Sequence, residues 1–380
     1  MPVSNTPNIC PAVLTSLTDN LINNPATINT FGGTLAALND PLNTGSGQII
    51  RSANDDGTGH KKEVRVVYKQ RLLPSAVVDE FDCSVGPELP YIEEVIDVNK
   101  YKAINFSMTE STVRQFCASY SELVRLTGTN DPKQIVGRAN GMGAAQGALM
   151  VAREIFNDFQ LAANALIQAV NADLLTSIIG GVGSIVGGTA GVAEVYEVIG
   201  SGGEINAAGL FKMKQDYIKT GLNGAPFIIG GAGALHQIWM NDSRYFGQAA
   251  NGINFETVRS NTGIAQFFYD QNAAGVIDGE DSAVVIAPGS AIYTPFLQYV
   301  GNYGKIGVTE RFTMPLPQLP QVKCDVRIQP IECGENANSY SVWMEMWYDV
   351  YTPPTDMFPA TDALAGVNGL YLANFTPVAP

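Results

Sequence analysis

The sequence predicts an α+β protein, and three stretches predict it. Residues 142–179 read as one very long helix. Residues 305–351 switch to the two-residue alternation of a long antiparallel hairpin. Between them, over residues 205–287, strand and helix signals alternate as in a compact α/β or α+β unit. A chain of 380 residues has room for two or three domains.

The helix carries apolar residues at Leu149, Ala152, Phe156, Phe159, Ala163, Leu166, Val170, Leu174 and Ile178. Steps of three and four put them on one face. No proline interrupts it, and Ala, Leu, Gln, Met and Glu favour it. At 1.5 Å per residue it would be roughly 55 Å long. That is long for one compact core and suits a strut lying across a flat or extended body. Its polar flank holds Arg153, Asn157, Asp158, Gln160 and Asn164. Two other readings stand beside the strut: a coiled-coil seam, although Ala and Phe occupy seam positions, and the buried helix of a globular enzyme.

In chain order, residues 1–45 are polar, with thinly spread apolar positions that include Ile9, Leu14 and Leu17. Such a segment cannot by itself bury enough surface to offset its own ordering, so it reads as an arm held by a neighbouring chain, with packing on its own domain as the alternative. Deleting residues 1–40 is therefore expected to block assembly and spare the subunit fold. Residues 46–100 read as a two-stranded β arm. The stretch from Glu63 to Leu72 has a β-branched and aromatic core flanked by charge, as a strand does, and Ser52 to Lys62 supply a polar tip. Thr109 is placed to cap a helix with the stripe Val113, Phe116, Tyr120, Leu123 and Val124, broken at Gly128.

After residue 179 a glycine-punctuated connection marks a domain boundary. A helix is expected over residues 205–220, with Leu210, Met213, Tyr217 and Ile218 facing inward. Strands are expected at 226–230, 264–269 and 283–287, and a helix at 234–240. In the hairpin, Val322, Cys324, Val326 and Ile328 form one row, and Val342, Met344, Met346, Tyr348 and Val350 another. Pro353-Pro354 stops it, and the tail to residue 380 reads mostly as loop.

Composition narrows the function. Only 15% of residues are charged, so much of the surface is expected to be covered by other chains. A net charge of −14 is wrong for gripping phosphate backbones. The short basic run holds Lys61, Lys62 and Arg65, with Lys69 and Arg71 beyond. The five cysteines show no CxxC pair and read as reduced thiols, with a Cys324–Cys333 bridge as the alternative. No signal peptide and no convincing membrane span is present in the pattern. His60 and His236 are too few for a three-histidine metal site. Gly141 to Gly147 fits a dinucleotide spacing without the strand-turn-helix context, and Gly230 to Gly233 lacks the Lys-Ser/Thr end of a phosphate loop. Asp278-Gly279-Glu280-Asp281 lacks calcium-loop spacing. No catalytic residue, cofactor site or metal site is assigned.

The order of pieces (polar arm, long β arm, strut helix, α/β segment, returning hairpin) resembles the major capsid protein of tailed bacteriophages, the Hong Kong 97 type of shell protein. Pro226-Phe227-Ile228-Ile229-Gly230, the later Trp239-Met240-Asn241-Asp242-Ser243-Arg244-Tyr245-Phe246-Gly247, the strand at 264–269 and Val284-Val285-Ile286-Ala287-Pro288-Gly289-Ser290 are similar to passages of that family's axial domain. The resemblance implies an N-terminal arm (1–45), an extended β loop (46–100), a peripheral domain (101–200 and 305–351) and an axial domain (201–304 and 352–380). It also implies self-assembly into hexamers and pentamers of an icosahedral head shell, in the virion. Portal and scaffolding proteins would be partners, and enclosed double-stranded DNA would be bound without sequence specificity. Contacts between subunits would involve Ile9, Leu14, Leu17, Lys61, Lys62, Arg65, Lys69 and Arg71. Some members crosslink through an arm lysine, for which Lys61, Lys62 and Lys69 are available. The start at Met1 without an acidic helical leader leads us to expect no large cleaved propeptide. Alternatives are an encapsulin-like compartment shell, a cytoplasmic α/β enzyme and a secreted surface-array protein.

Overall fold

The computed structural model describes residues 33–44, 50–53, 63–69, 91–128, 138, 146–199, 208–234 without 223, 264, 266–298 without 278, 304–306, 309–316, 319–331, 339–358, 360 and 362–377. Six helices within these residues are α1 (Gly33–Leu38), α2 (Pro41–Thr44), α3 (Glu110–Thr127), α4 (Gln146–Gly180), α5 (Ala208–Lys219) and α6 (Ala273–Val276). The strands are β1 (Ile50–Ala53), β2 (Glu63–Lys69), β3 (Tyr91–Asp97), β4 (Lys100–Thr109), β5 (Glu194–Ile199), β6 (Phe227–Gly230) and β7 (Gln266–Tyr269). They continue as β8 (Ser282–Ile286), β9 (Ile292–Phe296), β10 (Gly304–Ile306), β11 (Thr309–Leu316), β12 (Leu319–Ile331), β13 (Ser339–Tyr351) and β14 (Leu370–Pro377). The architecture is α+β. The chain divides into one unit containing 100–169 and 295–347 and another containing 30–99, 170–294 and 348–380.

The first unit is built on a sheet of order β10-β11-β12-β13-β4. β12 and β13 are the expected hairpin, each 13 residues long and antiparallel, with Val326 opposite Met344 and Ile328 opposite Val342. Alternation puts Val322, Cys324, Val326, Ile328, Val342, Met344 and Met346 on one face, and all are buried. Burial of that face is the main term holding the sheet, at about 1.5–3 kcal/mol per large side chain. Cys324 is a buried free thiol, so the Cys324–Cys333 bridge does not form. Phe106 of β4 meets Phe159 of α4 edge-on at 5.1 Å between centroids. The start of α3 is capped as expected: the Thr109 hydroxyl accepts from the Thr112 amide at 3.2 Å. It ends at Gly128, whose φ of 65° lets its amide reach the Val124 carbonyl.

α4 is the predicted strut helix, 35 residues long. Ile155, Phe159, Ala163, Leu166, Val170, Leu174 and Ile178 are buried along one face, while Asn157 and Asp158 are exposed. Leu149 and Phe156 lie in the helix, but their side chains are outside the description.

The second unit has a five-stranded sheet of order β5-β14-β8-β6-β7. β14 pairs parallel with β5 and antiparallel with β8, and β6 pairs parallel with β7. One face carries Tyr196, Ile228, Phe267, Val285, Tyr371 and Phe375 in a core that also takes Leu210, Met213 and Tyr217 of α5. Phe227, Ile229, Val284, Ile286, Leu370 and Leu372 fill the other face. A small antiparallel sheet, β1-β2-β3, belongs to this unit as well and gives three strands where a two-stranded arm was expected.

Two sequence readings are corrected here and one is refined. The tail is mostly loop and turn, as read, but it also carries a strand that was not foreseen: β14 is the second strand of the five-stranded sheet, apolar on both faces. Ile218 points outward at 63% exposure, because it lies about 100° around the helix from buried Tyr217. The expected arm at 1–45 reaches into folded structure. All six residues of α1 are buried, and the Thr34 amide and hydroxyl donate to one Asp270 oxygen at 3.0 and 2.6 Å. The Leu35 amide donates to Asn171 at 2.8 Å. Gly33 at φ 67° is required there, since a Cβ would come within 2.5 Å of the Asn171 amide nitrogen.

Removing residues 1–40 therefore takes α1 out of a core, so we predict that this truncation destabilises the subunit. The single change Leu35→Ala should cost about 2–5 kcal/mol. Urea denaturation followed by circular dichroism checks this, and an unchanged midpoint would contradict the placement of α1.

Candidate assembly surfaces

The sheet of the first unit has a second face that is polar. There Arg311 opposes Arg327, Thr313 opposes Asp325, Asp325 opposes Glu345, and Arg327 opposes Trp343. The period-two pattern makes this unavoidable once the apolar row faces the core. Asp325 and Glu345 are nonetheless buried. The Gln298 amide and the Thr313 hydroxyl donate to the Asp325 carboxylate at 2.6 and 2.7 Å. An Arg327 nitrogen lies 3.1 Å from Glu345, and its guanidinium sits over the Trp343 ring at 5.3 Å. Two buried carboxylates side by side are tolerable only with such cations beside them. Burial raises the Glu345 carboxyl above its usual range, and Asp325 adds to this against the opposing pull of Arg327 and Arg311.

In the second unit, α5 packs Leu210, Met213 and Tyr217 inward and leaves Phe211, Lys212, Gln215, Ile218 and Lys219 outward. A mostly apolar cleft of about 360 Å³ lies beside Ile218, lined also by Met213, Tyr217, Leu222 and Pro226. Burial pushes the Tyr217 phenol up to about 12, so it stays neutral. The neighbouring edge strand β5 exposes Val195.

Of the residues named from sequence, Ile9, Leu14, Leu17, Lys61, Lys62 and Arg71 lie outside the described residues. Arg65 and Lys69 are placed in β2 as backbone, opposite Val95 and Tyr91. The outward residues of α5 were missed because Ile218 was read as core; helical angle alone separates it from Tyr217. His60 and His236 are outside the description. The Gly230–Gly233 turn packs against its own chain. A Cβ at Gly233 would come within 2.4 Å of an Asp281 oxygen and 2.8 Å of the Glu280 carbonyl, which already accepts the Ala234 amide. Those glycines permit a close backbone approach and leave no phosphate cradle. Among the described residues no group of His, Cys, Asp and Glu has metal-site geometry.

No family model matches the chain, and no curated protein does. Several solved structures are similar to it. A chain from the capsid of Ralstonia phage GP4 is 9% identical at a TM-score of 0.38, covering 84% of this chain and 85% of that one. One from the mature capsid of bacteriophage PhiM1 is 10% identical at 0.36, covering 84% and 83%. One from Mycobacterium phage Che8 is 10% identical at 0.36, covering 83% and 85%.

Glu345 yields a pH prediction. Its folded-state pKa lies above its unfolded value, so over a window running upward from the ordinary carboxylate range the folded state holds more protons. The stability this group contributes is present on the acid side of that window and is lost as pH rises through the folded pKa. Glu345→Gln should flatten the dependence, which urea midpoints between about pH 4 and pH 8 would show. An unchanged slope would mean that Arg327 outweighs burial.

Proposed function

We propose that this protein is the subunit of a tailed-phage head shell, assembling with itself into hexamers and pentamers around double-stranded DNA. The observation that carries the reading is α4: a 35-residue helix with one buried face, in the same chain as a sheet of 13-residue antiparallel strands. A helix of that length stiffens an extended body; a compact enzyme core has little use for it. The polar second sheet face and the exposed α5 add surface suited to neighbouring chains, and the net charge of −14 keeps the shell from gripping packaged DNA.

In this reading the unit holding β10 to β13 is the peripheral domain, and the unit holding the five-stranded sheet is the axial domain. The arm expected at 1–45 keeps that role ahead of α1, and β1 to β3 belong to the extended loop whose cations, Lys61, Lys62, Arg65, Lys69 and Arg71, meet a neighbouring subunit. A head-to-tail contact repeated around a ring closes a capsomer, and curvature then closes the shell. The protein is structural, with portal and scaffolding proteins as further partners, and it resides in the virion.

The test is expression with and without a phage scaffolding protein, followed by negative-stain electron microscopy. Closed, uniform shells are expected. Small monodisperse particles under every assembly condition would overturn the proposal, and shells filled with protein cargo would redirect it to a cellular compartment.

A further inference from the structure

We infer that the outward face of α5 docks onto the turn at Glu280–Asp281 of a second copy of this chain, each subunit using one patch of each kind. The inference rests on the shell reading and adds to it which surfaces meet. The first observation is apolar exposure: Phe211 is 49% and Ile218 63% exposed, about two helix turns apart, with the apolar cleft opening beside Ile218. The second is charge. The sequence AGLFKMKQDYIK carries Lys212, Lys214 and Lys219 against the single Asp216, in a chain whose net charge is −14. Lys219 reaches Asp216 at 2.9 Å and Lys212 lies over the Tyr196 ring at 5.7 Å, so both ammonium groups are held near the helix surface.

Two α5 helices facing each other would set lysine against lysine, which opposes a two-fold contact and requires a different, acidic patch on the partner. The turn before β8 supplies one. Glu280 is exposed and Asp281 is half-buried. Their backbone is pinned: the Glu280 carbonyl accepts the Ala234 amide and the Asp281 carbonyl accepts the Phe375 amide, both at 2.9 Å. In the short helix α6, which ends four residues before Glu280, Ala274 and Gly275 are exposed and Val276 is half-buried, a small apolar surface able to receive Ile218. The two patches sit on different strands of the sheet: α5 packs on the edge strand β5, and the turn leads into β8, the third strand in the order. A subunit can therefore offer both at once, as a head-to-tail contact demands.

The test uses the full chain with Lys212→Glu, Glu280→Lys, the two combined, and Ile218→Asp, each checked for native circular dichroism and read by sedimentation velocity and electron microscopy. Sedimentation reads self-association whether or not shells close, so the contact is tested separately from the shell reading. Each single variant should lose self-association. The combined variant should regain it, and so should an equimolar mixture of the two charge reversals, because each then meets its complement. A folded Lys212→Glu or Glu280→Lys that associates as the wild type does, or a folded combined variant that fails to recover, would overturn the inference. So would loss with the lysine variant alone, which would assign α5 to a different occupant such as nucleic acid.

Discussion

Burial of one face of α4 is the constraint on which the rest depends. Ile155, Phe159, Ala163, Leu166, Val170, Leu174 and Ile178 follow each other at three- and four-residue steps and are all withdrawn from solvent. Part of this helix, Asn157–Gly180, is long and apolar enough by length and composition to cross a membrane, yet half of its apolar window is buried inside the protein. Its polar residues also have work there. Asn171 takes the Leu35 amide, and Asp173 takes the Tyr348 hydroxyl at 3.0 Å. A polar group in a core is tolerable when bonded, and these bonds fix which segments the helix holds.

The same device recurs elsewhere in the second unit, to which these bonds belong. Asn43 donates to the Leu38 and Ala291 carbonyls and accepts the Gly289 amide. Asn368 donates to the Gly181 and Pro353 carbonyls and accepts the Gly183 and Leu370 amides. Each amide spends its capacity on backbone groups that irregular loops would otherwise leave unpaired. Asp270 likewise holds Thr34 and Asn272. These clamps join segments far apart in sequence, so the unit assembles from the early, middle and late parts of the chain together.

That non-local construction explains what the sequence could and could not reveal. Periodicity is a local signal, and the local elements were readable: the α4 stripe, the Thr109 cap, and the rows Val322 to Ile328 and Val342 to Val350. β14 was overlooked because a strand buried on both faces, such as Leu370 to Phe375, loses its alternation and follows glycine-rich chain. α1 was overlooked because six residues with no amphipathic pattern carry no helical signal; Asp270 and Asn171 define it from more than a hundred residues away. Nothing local in the sequence marks Asp325 and Glu345 as buried; Thr313, Arg327 and Gln298 make their burial intelligible. Helix α5 shows the finer limit: Tyr217 and Ile218 are adjacent in sequence, yet the first is buried and the second exposed.

The proposed role as a shell subunit requires rigidity before neighbours are met, and on that proposal α4 is where it comes from. Hydrogen–deuterium exchange on the unassembled subunit tests that claim most directly. Amides from Ile155 to Ile178 should be among the slowest in the chain and exchange as one block, because their face is already buried within the subunit. Fast exchange across that stretch, with protection gained only after assembly, would contradict the account and make the helix a product of the shell rather than its support.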